Sequence, residues 1–186
     1  MTAVRTRAMF TICLAMAAFP ACAKTAAPFS VAIPDAADQR FTPRQYNAGN
    51  GCTGANASPT LAWSNAPADT KSFAVTVFDT DASGGKGFWH WLAVGVPATA
   101  KGLESGASGS PAMAALGVQE AANDFGQKGY GGPCPPVGQD HHYVITVYAL
   151  NINTLDLPDA ATPADVAAAI KSHAVGQAQT TLMAAR

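Results

Sequence analysis

The chain has 186 residues, with 11 Lys and Arg against 12 Asp and Glu and a formal net charge of −1. Charged residues make up 12% of it, about half the share usual in a globular domain, and Lys and Arg form no cluster, which excludes a nucleic-acid backbone as partner. The length suits one domain with its own core.

Residues 1–23 read as an export signal. Arg5 and Arg7 form a basic start, Ala8 to Ala18 supply an apolar run, and Ala21-Cys22-Ala23 is a small-residue cleavage site, with cleavage expected after Ala23. That run is shorter than the roughly 20 residues needed to span a bilayer, so no stable membrane insertion is expected and the product is periplasmic or secreted. Two alternatives are a retained anchor and lipidation of Cys22, for which Phe19-Pro20-Ala21 is a poor context. The mature part, 24–186, is expected to be a single domain.

Leu61 to Trp63 starts the strand pattern. Phe73 to Asp79 alternates with period two and is apolar on both faces, the pattern of a central strand. Phe88 to Val96 and Tyr143 to Leu150 are β-branched and aromatic runs of the same kind, punctuated by Pro97 and the GGPCPP loop. Gly102 to Gly117 reads as a low-complexity loop of small residues. Thr162-Pro163-Ala164-Asp165 marks a helix start, with Thr162 as N-cap and Pro163 in the first turn. The helix runs to His173, and a second helical segment is expected through Ala178, Leu182 and Met183. These elements predict a mostly-β protein, an antiparallel β-sandwich with peripheral C-terminal helices.

Cys13 and Cys22 leave with the signal, so Cys52 and Cys134 remain. An even pair in an oxidising compartment is a disulfide candidate; closing a loop of about 80 residues is worth at most about 4 kcal/mol. Two separate buried thiols are the alternative.

Six motifs occur in order: SPTLAW (58–63), DTDAS (79–83), FWHW (88–91), NDFG (123–126), GYGGPCPP (129–136) and HHYVITVYAL (141–150). From Phe41 to the end, this series resembles the phosphatidylethanolamine-binding protein family, in its bacterial Raf kinase inhibitor-like branch. The resemblance implies a β-domain with a small anion pocket at one end. Carried over motif by motif, it points to Asp79, Asp81, His90, the backbone at Gly132, His141 and Tyr143 as ligand-binding residues. Imidazole N–H, phenol O–H and a backbone amide can converge on phosphate oxygens, while Asp79 orients an imidazole and fixes its tautomer or accepts from an ammonium. Gly132 is read as allowing a ligand close to the backbone. DTDAS departs from the family's DPDAP pattern, with Thr80 and Ser83 in place of both prolines, which implies a less rigid pocket rim.

Outside that resemblance the same residues read more simply: His90 as a core histidine, Tyr143 as a sheet aromatic, Asp79 and Asp81 as turn formers. His173 reads as a surface residue suited to a helix C-terminus. His142 follows His141 in a strand and points the opposite way.

The expected function is a non-enzymatic binding or inhibitory module taking a small anion or a phosphorylated or zwitterionic head group, with no cofactor and no metal. One alternative is a protein–protein inhibitor of a protease or of a host or kinase-type target. Another is a hydrolase using the His/Asp pocket, against which stand the lack of HExxH and of G-x-S-x-G.

Overall fold

A computed structural model describes residues 26–36, 38–158 and 160–186. The export signal, the cleavage site, Cys13 and Cys22 lie outside them. The described residues form two antiparallel sheets. The smaller contains β1 (Ser30–Ala32), β2 (Leu61–Ser64) and β5 (Gly102–Leu103) in the order β1-β2-β5. The larger contains β3 (Ser72–Asp79), β4 (Phe88–Pro97), β6 (Gln119–Glu120), β7 (Asp140–Leu150) and β8 (Ala174–Ala185) in the order β6-β4-β3-β7-β8.

The double apolar face of β3 has a physical cause: the larger sheet is covered on both sides. Phe73, Val75 and Val77 face a core shared with Leu61, Trp63 and Leu103 of the small sheet. Ala74, with Leu92, Tyr148 and Leu150, packs against Val166, Ala167 and Ile170 of the helix Pro163–Ser172. Full burial of side chains such as Val and Ile contributes about 1.5–3 kcal/mol each, so this helix is held mainly by its apolar face. Its start is a capping box: Asp165 N–H donates to the Thr162 hydroxyl (3.2 Å) and Thr162 N–H to the Asp165 carboxylate (3.1 Å).

The second expected helix is absent. Residues 174–185 form β8, which pairs with β7 from Asp140↔Ala185 to Leu150↔Ala174. Alanine-rich local preference loses here because β7 would otherwise expose an eleven-residue edge. Ala178, Leu182 and Ala184 are buried and two or four residues apart, so they also satisfy a strand's period. The stretch 102–117 is more structured than expected: it holds β5 and a short helix, Pro111–Ala115. Ser110 caps that helix by accepting from Met113 N–H, and the buried Met113 side chain anchors it.

Cys52 and Cys134 are bonded, with Cα atoms 6.0 Å apart, which overturns the two-thiol alternative. Among the described residues no helix is long and apolar enough to cross a membrane.

Candidate functional site

The site lies where β3, β4 and β7 end together. Asp79 is the last residue of β3, and its strand partners are Phe88 in β4 and Tyr143 in β7. Period-two alternation puts His141 on the same face as Tyr143 and Asp79, and His142 on the opposite face. His90 arrives by another route. Register passes from Val77↔Trp91 to Phe78↔Trp89, so His90 is the extra residue of a β-bulge, the device that re-aims one side chain. The same bulge lets Trp91 join the inner core while Trp89 packs on the outer one.

Asp79 is 2% exposed and its carboxylate organises the cluster. Oδ1 accepts from the N–H groups of Asp81 (2.9 Å) and Ala82 (3.0 Å), while Oδ2 accepts from His141 Nδ1 at 2.8 Å. His90 Nε2 stands 3.9 Å from the same Oδ2. His90 Nδ1 lies 2.6 Å from the Gly131 carbonyl, which can only accept, so the ring carries its proton on Nδ1. Burial pushes the His90 pKa below its ordinary value, opposed by its bonds to the Gly131 backbone and by the Asp79 charge. Tyr143 packs its ring edge-on to His90, with centroids 5.1 Å apart. Burial, and next the Asp79 charge, hold its phenol far above the ordinary value, so it remains a donor.

Asp79, His90 and His141 border a cavity of about 210 Å³ that Ala82 and Ser83 also line, with Phe88 and Phe125 as one wall and Cys134-Pro135-Pro136 as another. Neither Lys nor Arg is among the lining residues.

Three expected ligand residues do not line the cavity: Tyr143 is buried behind the His90 ring, and Asp81 and Gly132 have other partners. Asp81 does not line the cavity; its carboxylate accepts from His142 N–H (2.6 Å) and His142 Nδ1 (3.0 Å), and the N–H bond chiefly lowers its pKa. Gly132 also stands back from it. A Cβ there would lie 2.2 Å from the Gln45 carbonyl oxygen and 2.6 Å from Asn47 N, and its N–H donates to Asn56 Oδ1 at 2.7 Å. The close approach that demands glycine is therefore by the chain at 45–47.

Phe125 was not singled out from the sequence, although it sits in the NDFG motif. Asn123 is buried and its Oδ1 accepts from Phe125 N–H (2.9 Å), while Asp124 accepts from Trp89 N–H (2.7 Å). The polar residues of that motif thus pin the loop, and the aromatic one is presented to the cavity.

The lost prolines of the rim also have a local explanation. Thr80 N–H donates to the His142 carbonyl at 3.0 Å, a bond that proline cannot make. Ser83 has φ of 55° and is followed by Gly84 at 68° and Gly85 at 84°, whereas proline is held near −65°. Ser83→Pro is accordingly expected to destabilise the fold by about 2 kcal/mol, lowering the melting temperature by about 4–8 °C. An unchanged melt would contradict this rim conformation.

The described residues thus form an antiparallel β-sandwich with a small imidazole–carboxylate cavity at the ends of its central strands. The chain belongs to the phosphatidylethanolamine-binding protein family, whose pattern matches residues 34–185. It is 44% identical over 135 residues to UPF0098 protein YbhB of Escherichia coli strain K12, covering 73% of this chain and 85% of that protein. It is 41% identical over 159 residues to a Mycobacterium tuberculosis protein named as a lipoprotein, LppC, covering 84% of this chain and 72% of that one. The crystal structure of E. coli YbcL superposes with a TM-score of 0.79 at 36% identity, covering 86% of this chain and 99% of that one.

Proposed function

We propose that the protein is an exported, non-enzymatic binding module whose cavity takes a phosphate-like anion or a phosphorylated, zwitterionic head group together with a proton. The observation that carries this reading is that Asp79 stands between two imidazoles whose Nδ1 atoms are already committed to protein acceptors. In the neutral rings both Nε2 atoms are lone-pair acceptors and cannot serve an anion. Protonation turns each into a cationic donor, and a charged hydrogen bond contributes about 1.5–3 kcal/mol against about 1 for a neutral one. The Phe88 and Phe125 rings that line the cavity are of the aromatic type that suits the ammonium of a zwitterion.

The Asp79–His141 pair also has the orientation of a general-base dyad. A hydrolase would place a nucleophilic hydroxyl on His141 Nε2, and the group there is the Gln139 side-chain oxygen Oε1 at 3.2 Å, an acceptor with no proton to give up, which favours binding over catalysis. Among the described residues the exposed large apolar side chains are Leu116, after the helix Pro111–Ala115, Val137, in a turn, and Val175, in β8, which gives the protein-inhibitor reading little support. Export is supported by the signal-like N-terminus, the disulfide and the relative named as a lipoprotein.

His141→Ala is expected to weaken phosphoethanolamine binding about tenfold or more, equivalent to about 1.4 kcal/mol, whereas His142→Ala, whose ring lies on the far face and leaves the backbone N–H to Asp81 intact, changes it little. The ligand's negative charge favours the protonated His90 ring, so affinity rises as pH falls toward the lowered His90 value. Calorimetry at pH about 8 in two buffers of different ionisation enthalpy should show net proton uptake. Equal loss in both variants, or binding without proton uptake, would overturn the reading.

A further inference from the structure

The disulfide stands between two cavities. Cys134 lines the site cavity, whereas Cys52 lines a groove of about 510 Å³ with Phe41, Tyr46 and Arg186. The Arg186 guanidinium touches both sulfurs: Nη1 is 3.4 Å from Cys52 Sγ and 3.3 Å from Cys134 Sγ. A cation beside a cysteine sulfur lowers its thiolate pKa, and a lower pKa makes that sulfur a faster leaving group in exchange.

The segment that Cys134 anchors has few other ties. Asn47 N–H donates to the Pro133 carbonyl, Gln139 N–H to the Pro136 carbonyl and Gly138 N–H to the Arg186 carbonyl, and Pro135 is buried. Between those points Pro135 and Pro136 have no N–H to donate, and among the described residues the N–H groups of Cys134 and Val137 have no partner. Val137 is 77% exposed.

We propose that Cys52–Cys134 is a thiol–disulfide exchange site, cut by a small dithiol with assistance from Arg186, and that its reduction frees the Cys134–Val137 rim of the cavity. One thiolate of the dithiol attacks Cys134 Sγ, the partly exposed sulfur, and forms a mixed disulfide. The Cys52–Cys134 bond breaks, and its electron pair leaves on Cys52 Sγ beside the guanidinium. The dithiol's second thiol loses its proton to solvent and attacks its own sulfur in the mixed disulfide, expelling Cys134 as thiolate. Both cysteines take protons from solvent, and the dithiol ends as a cyclic disulfide, two electrons having passed to the protein. The consequence for ligand affinity rests on the binding function proposed above; the exchange and the release of the rim do not.

The test uses the full chain and dithiothreitol. Thiol labelling should show Arg186→Gln reduced about threefold to tenfold more slowly than the native protein, the effect of moving a leaving thiolate's pKa by about a unit, with Arg186→Lys restoring most of the rate. Equal or faster reduction of Arg186→Gln, or no rescue by lysine, overturns assistance by charge. Hydrogen exchange on the reduced native protein should lose protection at the Gly138 and Gln139 N–H groups and at the Asn47 N–H that bonds the Pro133 carbonyl, while β3 and β7 keep theirs. Unchanged protection of the rim, or loss across β3 and β7 as well, overturns its local release. Inorganic phosphate should bind the reduced form about tenfold more weakly, equivalent to about 1.4 kcal/mol, and equal affinity in both forms overturns control of the cavity by the rim. If the oxidised protein binds no phosphate, the binding function fails, and the labelling and exchange results still decide the proposal.

Discussion

Asp79→Ala is expected to destabilise the protein by about 3–5 kcal/mol, the cost of removing one partner from a buried polar network. The carboxylate accepts from two backbone N–H groups and from His141, a residue 7% exposed. Alanine leaves three donors to find water or remain unpaired, at about 1–3 kcal/mol each where burial persists. The melting temperature should fall by about 6–20 °C. Asp79→Asn separates charge from shape. Its amide oxygen can still accept from the Asp81 and Ala82 N–H groups, but the charge that favours a protonated His90 is gone. The His90 pKa, already depressed, should therefore fall further. Histidine NMR titration reads this directly, and a His90 value that holds or rises in Asp79→Asn would remove Asp79 from the electrostatics of the site. The consequence for stability has a defined sign. Because burial lowers the folded-state pKa of His90, the unfolded chain binds that proton more readily, and His90 makes the fold less stable as pH falls through its ordinary value of 6.5 toward the folded one.

Gly132→Ala should produce an effect of similar size by another route. The three atoms nearest to the added Cβ all belong to backbone at Gln45, Tyr46 and Asn47, at 2.2 to 2.6 Å. No rotamer change relieves such contacts, so one strand of chain must move. Overpacking of this kind typically costs about 1–3 kcal/mol, and contacts with backbone alone place this site at about 3, a melting shift of about 6–12 °C. The neighbouring Gly131 carbonyl holds His90 Nδ1, and Tyr130 O–H reaches the Gln45 carbonyl. Displacement of this stretch should thus perturb the His90 ring resonances as well as the melt. A variant with native melting and an unshifted His90 would show that the 45–47 backbone yields at little cost.

Local pattern alone determined much of this protein. Alternation in Phe73–Asp79 and Tyr143–Leu150 identified the central strands, since a strand buried on both faces must be apolar throughout. The same alternation separated His141 from His142 before any coordinate, and the Thr162–Asp165 capping box marked the helix start, because caps act within four residues. An export-like signal and an even cysteine count made Cys52 and Cys134 a disulfide candidate, and the fold brings them into a bond. The tertiary structure decided what depends on a distant partner. The last twelve residues of the sheet became β8 because β7 offered an unpaired edge, a term stronger than alanine's helix preference. His90 reached the cavity only through a bulge, a register slip that appears when β3 and β4 pair. Gly132 and Asp81 carry motif positions, yet Gly132 packs against the chain at 45–47 and Asp81 bonds to His142. Their atoms are committed by contacts across some sixty to ninety residues of chain, and no local periodicity encodes which donor a folded backbone will bring to which acceptor.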